Sequence, residues 1–378
     1  MNILIVCHYG LYRDLSSSFV HAQALEYARL GHRVRVLVPI PYGKRDWDGS
    51  RFSASPRGAG GVELVPLRYL TLSKYGETGF NAKSAVLALR PRLAALLEDF
   101  PPDIIQAHTL GFDSRVGAWL KGRLGCPLVV TTHGSDTSIP VEQGRAGALR
   151  PLCDAADRVA AVSSALADKL RTCGTKTPIS VILNGFQPRS LPGDTPKKEP
   201  LSFIQVGHLL EQKRFHVTIR AFAAIRKRHP EASLTVIGQG PERAALEGLC
   251  RELGVEDAVR FLGQVPNETV LAEMAKHRFF CMPSVREGFG IVYLEAMAGG
   301  CVTIGTEGEG IAGLIVSGEN GFLVPPDDPE AIVGIVERCL ENPDAAEAIA
   351  ERGRRDARGL TWERNARQYL ELFEEVRS

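Results

Sequence analysis

The sequence predicts an α/β protein of two domains, each built on a parallel sheet. Three observations predict it. Short apolar runs of strand length alternate with helix-period segments along the whole chain, the pattern of βα units. That rhythm breaks at residues 184–200, where Asn184-Gly-Phe-Gln-Pro188 leads into a stretch rich in Pro, Gly and charge, and it restarts at Leu201. A length of 378 residues is enough for two or three separate cores.

Taken in order, residues 3–6 form the first strand and 19–30 a helix with serines ahead of it as caps. Gly31 closes that helix and 33–38 is the second strand. Residues 41–61 make a polar loop rich in Gly, Pro and Ser, long enough to expect a use of its own. Asp46-Trp-Asp48 inside it imitates a metal-binding acidic pair, a pattern common by chance. A helix over 81–97, a strand over 104–107, a helix over 111–124 and a strand over 127–132 follow. Strands at 159–163 and 180–183 complete the first half. The second half gives strands at 201–206, 233–237, 259–262, 279–283, 301–305 and 321–324, with helices at 215–228, 241–253 and after residue 290. Helices over 328–341, 343–356 and 361–376 close the chain.

Composition is that of a soluble globular protein, 44% hydrophobic and 24% charged. The opening Met-Asn-Ile-Leu-Ile-Val-Cys7 is too short for a signal segment and reads as a buried strand, and no apolar run reaches membrane-spanning length. The eight cysteines are scattered without a CxxC pair, as in a cytosolic protein with buried thiols and neither disulfides nor zinc. Net charge is +1 but unevenly spread: residues 1–184 hold 22 Lys and Arg against 15 Asp and Glu, the remainder 23 against 29. The basic half points to an anionic substrate or surface, with chance variation of solvated faces as the plain alternative. Nucleic acid is disfavoured, since no basic run and no aromatic stacking motif accompanies the charge.

Four places carry candidate chemistry. Ser284-Val-Arg-Glu-Gly-Phe-Gly-Ile291 is a polar turn between a strand and an apolar helix. The amides of Gly288, Phe289, Gly290 and Ile291 fall at a helix start, where N–H groups lack acceptors and attract phosphate. Glu287 opens the turn, and Glu295 lies about two turns inside an apolar helix, where a carboxylate needs a partner such as a sugar diol. A lone Glu is more often solvated; the pair shifts the weight. His133, followed by Gly-Ser-Asp136, stands at a strand's carboxyl end, where α/β sheets collect ligands. Gly207, His208 and Lys213 follow another strand, a glycine for close backbone approach and a lysine for phosphate charge. Gly238-x-Gly240 imitates a dinucleotide fingerprint, but Arg243 stands where its last glycine belongs, so an NAD oxidoreductase is an outside option.

In combination these residues resemble the retaining GT-B glycosyltransferases of family 4. The resemblance runs through Leu-Gly-His-Arg-Val34, Thr-His-Gly-Ser-Asp136, Asn184-Gly-Phe, Gly207 to Lys213, Gly238-x-Gly-Pro241, Phe-Leu-Gly-x-Val265, the E-x7-E pair of Glu287 and Glu295, Asn320-Gly-Phe-Leu-Val324 and Thr-Trp-Glu363. The resemblance implies a GT-B fold, two Rossmann-like βαβ domains facing across a cleft that holds the active site. It implies an N-terminal acceptor domain over 1–187 and a C-terminal nucleotide-sugar domain over 188–361, with a last helix, about 362–378, packed back on the first. It also implies Lys213 on the donor diphosphate, amides 288–291 around phosphate and sugar, Glu287 on the transferred sugar, Glu295 on the ribose diol, Val265 meeting the base through its backbone, and His133 beside the reacting carbon.

Two departures stand out. His208 occupies the place of the family's usual arginine, and the first βα turn lacks paired glycines, with Ser16 to Ser18 in their place. Ser17 and Asp136 are the candidates on the acceptor side. The expectation is therefore a cytoplasmic, metal-independent, retaining hexosyltransferase without cofactor. It would use a nucleotide-sugar donor, UDP first, and a sugar or lipid-linked acceptor in cell-envelope polysaccharide or glycolipid synthesis. Peripheral contact with an anionic membrane would go through the basic half. A sugar-nucleotide epimerase on the same fold and a non-catalytic nucleotide-sugar-binding protein are the alternatives.

Overall fold

The computed structural model describes residues 1–7, 19–42, 61–71, 79–187 and 198–378. The chain divides into two compact units, residues 1–184 with 362–378, and residues 185–361. The expected boundary between residues 187 and 188 lies three residues beyond this division, inside the linker-like stretch 184–200.

The first unit holds a seven-stranded, wholly parallel sheet in the order β3-β2-β1-β4-β5-β6-β7. The strands are β1 Asn2–Val6, β2 Arg33–Pro41, β3 Val62–Tyr69, β4 Ile104–His108, β5 Leu128–Thr132, β6 Arg158–Ala161 and β7 Ile179–Val181. The central strands β4 and β5 are buried along their whole length, as a sheet covered on both faces requires. Alternation sorts their side chains. Ile3 and Ile5 face one core with Tyr27, Tyr369 and Phe373, while Leu4 and Val6 face the other with Val86, Phe112 and Leu120.

The first face is covered by α1, Phe19–Arg29, and by the closing helix, Trp362–Arg377. That helix is pinned by polar contacts inside the apolar layer. Gln23 Nε2 donates to Asn365 Oδ1 at 2.6 Å, Asn365 Nδ2 donates to the Leu183 carbonyl at 2.7 Å, and the Tyr369 hydroxyl meets Thr131 Oγ1 at 3.1 Å. The second face carries α2 Gly79–Leu89, α3 Leu93–Leu97 and α4 Phe112–Leu124, followed in the chain by α5 Ser135–Glu142, α6 Arg150–Asp154 and α7 Ser164–Arg171.

Helices α5, α6 and α7 were not anticipated, and two further features differ from expectation. The helix anticipated over 81–97 is interrupted by a 3-10 turn at Arg90–Arg92, because Pro91 cannot continue an α-helical ladder. Strand β3 was not anticipated. It lies at the sheet edge, where Pro66 is tolerated because one side of the strand has no ladder to complete.

The second unit holds a six-stranded parallel sheet in the order β10-β9-β8-β11-β12-β13. Its strands are β8 Glu199–Val206, β9 Ser233–Ile237, β10 Val259–Gly263, β11 His277–Cys281, β12 Val302–Thr306 and β13 Phe322–Val324. Its helices are α8 Phe215–Arg226, α9 Arg243–Glu252, α10 Asn267–Lys276, α11 Ile291–Ala298, α12 Pro329–Glu341 and α13 Pro343–Arg358. Helix α10 was also not anticipated: short and half polar, it shows little helical period. Phe203 stacks on Phe279 with rings 5.0 Å apart at the centre of the core, and Phe222 meets Phe203 edge-on. All eight cysteines are free and buried.

Candidate functional site

In the second unit the carboxyl ends of β8, β9 and β10 turn into one another. The Gly207 amide donates to the Ile237 carbonyl at 3.0 Å, the Leu209 amide to Gln239 at 3.0 Å and the Gly238 amide to Gly263 at 2.8 Å. At Gly238, φ is +140° and a Cβ would fall on the Gly207 carbonyl oxygen, so only glycine lets these two loops touch. The Gly238-x-Gly240 turn therefore has a packing reason for its glycines that is independent of any dinucleotide. His208 is exposed beside it, its Nδ1 3.3 Å from the Gln239 carbonyl. Val265 follows β10 by two residues and is half-buried.

Beyond Gly207 the chain makes a 3-10 turn at Glu211–Lys213. Buried Gln205 donates to the Lys213 carbonyl at 2.7 Å, and the Val285 amide donates to the Gln212 carbonyl at 2.9 Å. Those two bonds carry the lysine loop to the turn that holds Glu287. There Lys213 Nζ forms an ion pair with Glu287, each side chain less than a fifth exposed. The turn is braced from behind: the Glu287 amide donates to Glu309 Oε2 at 2.9 Å, and the Gly310 amide donates to the Glu287 carbonyl at 3.1 Å. Arg286, one residue earlier, sits in the left-handed region at φ +61°, a conformation held only because the surrounding bonds over-determine it.

Gly290 follows with φ +79° and caps α11; a Cβ there would meet the Tyr293 ring at 2.7 Å. Among the described residues none accepts a hydrogen bond from the amides of Gly288, Phe289, Gly290 or Ile291. They are the free donors of a helix start, beside a lysine. The Tyr293 hydroxyl is buried on Ser284 Oγ at 3.1 Å and on the Met282 carbonyl, and fixes the helix to the strand before it. Glu295, on α11, has Asn267 Nδ2 at 3.0 Å, and burial pushes its carboxyl up to about 7. Asn267 heads the unanticipated helix α10 and escaped the motif reading for that reason.

In the first unit, His133 directly follows β5 and Gly134 caps α5. Asp136 is taken up internally, accepting from Thr132 Oγ1 and the Gly134 and Leu110 amides at 2.9 Å each, and from the His133 amide at 3.2 Å. Its carboxylate shapes the turn that presents His133. His133 Nε2 lies 3.0 Å from Nδ1 of His108, the last residue of β4, and the Phe19 ring centroid is 4.3 Å from the His133 ring. His133 Nδ1 and His108 Nε2 are buried without a partner. Burial pushes the His133 imidazole down to about 3, and burial with its neighbour's charge holds His108 well below the usual range. His108 is a residue the sequence argument missed, although the same strand-end logic that picked out His133 applies to it. Ser17, Asp46 and Asp48 lie outside the described residues.

The site residues thus form two groups, each within its own unit: Lys213, Glu287 and the amides 288–291 in the second, His133, His108 and Asp136 in the first. Among the described residues, no group of three or more His, Cys, Asp or Glu side chains is arranged to hold a metal ion.

Comparison with known proteins gives the chain's relatives. A family described as Glycosyl transferases group 1 matches residues 189–356, and one described as Glycosyltransferase Family 4 matches residues 16–189. A D-inositol 3-phosphate glycosyltransferase of Corynebacterium urealyticum is 35% identical over 175 residues, a match spanning 44% of this chain and 41% of that protein. Among solved structures, a sucrose-phosphate synthase of Thermosynechococcus elongatus superposes with a TM-score of 0.79 at 21% identity, covering 99% of this chain and 98% of that one. HepE of Anabaena, solved in complex with UDP-glucose, gives 0.75 at 19% identity with 99% of each chain covered.

Proposed function

From the premise that this chain belongs to the GT-B glycosyltransferases, we propose that it moves a hexose from a nucleoside-diphosphate donor to an acceptor hydroxyl with retention at the transferred carbon. The observation that carries the reading is the Lys213–Glu287 ion pair beside the four acceptor-free amides of Gly288 to Ile291. A cation and a row of N–H donors fit a diphosphate, and the adjoining carboxylate fits the hydroxyls of the sugar attached to it.

In this reading the donor separates the pair. Lys213 turns to the diphosphate with Gly207 and His208 behind it, and Glu287 accepts from the sugar's hydroxyls. Glu295 accepts from the ribose diol, and the Val265 backbone meets the base. The acceptor oxygen bonds to the anomeric carbon while the bond to the phosphate oxygen breaks, its electron pair leaving with the nucleoside diphosphate. The acceptor's proton passes to the departing phosphate. Lys213 and the helix-start amides stabilise the charge as it develops, with no metal in the scheme. His133, neutral at every physiological pH, serves as a hydrogen-bonding group beside the reacting carbon, with Asp136 positioning it.

The complex of HepE with UDP-glucose supports a uridine donor, and the D-inositol 3-phosphate glycosyltransferase supports a small polar acceptor. We place the activity in cell-envelope polysaccharide or glycolipid synthesis at the inner face of a membrane, with the first unit on the acceptor side and the second on the donor side. Among the described residues, no helix is long and apolar enough to cross a membrane. The test is a thermal-shift panel of UDP, GDP, ADP, dTDP and NAD with chelator present. Stabilisation by UDP, lost in Lys213→Ala, is the expected result; stabilisation by NAD alone overturns the reading.

A further inference from the structure

The helical face of the first unit carries an unusual run. Residues 79–97 contain Lys83, Arg90 and Arg92 and not one acidic residue. On α2, the turn after it and α3, Phe80, Lys83, Leu87, Arg90 and Ala94 are all exposed, three or four residues apart, a stripe that alternates apolar and cationic groups. Phe80 is 46% and Leu87 61% exposed, and Leu70, 63% exposed, is held next to α2 by its amide's bond to Ser84 Oγ at 2.9 Å.

Two shallow grooves, each about 610 Å³, flank the stripe and share Arg90 and Trp119. One is walled by Val86, Leu87 and Leu152 with Lys83 and Arg115 at its rim, the other by Leu93 and Leu97 with Arg123. Among the described residues no carboxylate pairs with Lys83, Arg90, Arg92, Arg115 or Arg123. Lone solvent-facing leucines are ordinary, but large apolar groups interleaved with unpaired cations are the composition of an interfacial helix.

We infer that this face docks on an anionic lipid bilayer, Phe80, Leu87 and Leu70 entering the headgroup boundary while Lys83, Arg90, Arg92, Arg115 and Arg123 meet lipid phosphates. Charge complementarity selects this occupant: five unopposed cations leave an acidic bilayer favourable and a neutral apolar protein face poorly matched. The inference gives the membrane contact of the proposed function a location. It rests on that reading only for its purpose, because docking is read without sugar transfer, and either can fail alone.

The experiment is co-sedimentation of the full chain with vesicles of phosphatidylcholine containing about one third phosphatidylglycerol, and with pure phosphatidylcholine. Binding is expected to the anionic vesicles only and to fall steeply between low and high salt. The double variant Lys83→Glu with Arg90→Glu removes four units of charge and should bind roughly six-hundredfold more weakly, at about a fivefold loss per unit. Leu87→Ser should weaken binding at every salt concentration. Both changes are on the surface, and an unchanged melting transition of the first unit serves as the control that the fold is intact. Absence of binding at low salt overturns the inference, as does binding that neither variant alters. Self-association of the free chain that Leu87→Ser abolishes, without vesicle binding, would assign the face to a second copy instead.

Discussion

His108 Nδ1 and His133 Nε2 lie 3.0 Å apart, with ring planes 12° from parallel, at the ends of adjacent strands β4 and β5. His108 is buried and His133 half-buried, and both are held below the usual histidine range, so one neutral imidazole donates and the other accepts. Because His133 Nε2 faces His108 Nδ1, the two tautomers are coupled, and with them whether the free His133 Nδ1 donates or accepts.

That coupling makes His108 a positioning residue for His133. His108→Phe should lower kcat about tenfold to a hundredfold with little change in donor KM, while His108→Gln, which can still donate or accept, should recover part of the loss. Stability follows the same pair. In the unfolded chain histidine protonates near about 6.5, whereas folded His133 stays neutral to about 3. The folded pKa is depressed, so stability is greatest above about 6.5 and is lost as the pH falls below it. Melting curves between pH 7.5 and 5 should show that fall, and His108→Phe should flatten it.

Lys213 and Glu287 neutralise each other in the absence of ligand. Removing the lysine leaves a half-buried carboxylate pointing at the phosphate position. Lys213→Ala should therefore reduce kcat/KM by about 10²–10³, the loss typical of a charge-stabilising group, and Glu287→Gln should reduce kcat more than donor affinity. Steady-state kinetics with UDP-glucose checks both. An unchanged kcat/KM in Lys213→Ala would remove the pair from the reaction.

Glu295 titrates near about 7 because burial disfavours its charge. A diol binds the ionised form, which accepts two hydrogen bonds. Donor affinity should then rise as pH increases through about 7 and level off above it, since ligand binding favours the carboxylate. Isothermal titration with UDP-glucose between pH 6 and 8 measures it; the donor's phosphodiesters do not titrate there. Glu295→Gln should bind more weakly and show no pH dependence in that range. In the free protein the sign is opposite. A carboxyl raised above its unfolded value loses stability as pH rises from about 4.5 through about 7.

Phe373, on the closing helix, is fully buried against Tyr27 and Tyr369, with ring centroids at 5.8 and 6.0 Å. Phe373→Ala should cost about 3–5 kcal/mol in the first unit, as truncation of a buried aromatic does. Chemical denaturation should show this as an earlier transition of that unit alone. A chain ending at residue 361 should lose the first unit's cooperative melt while the second retains its own.

The amino-acid sequence by itself determined the α/β class, most of the strands and the candidate site positions at strand and helix ends. Those features are local: a run of Val and Ile, a glycine after a strand or a capped helix start is legible wherever it occurs. The motif around Glu287 was legible for the same reason, since a strand, a turn and a helix in one short stretch bring a carboxylate and free amides together. Tertiary structure alone decided the rest. It placed Lys213 on Glu287, 74 positions further along the chain, and paired His108 with His133 because their strands are neighbours in the sheet. It buried Asp136 under four donors, although a polar residue after His133 invites a ligand-facing reading. Strand β3 and helix α10 were not legible, because Pro66 masks an edge strand and ten half-polar residues show too little period. Pairing, burial and shifted titration arise from approach in space, and chain order carries no distance between residues far apart along it.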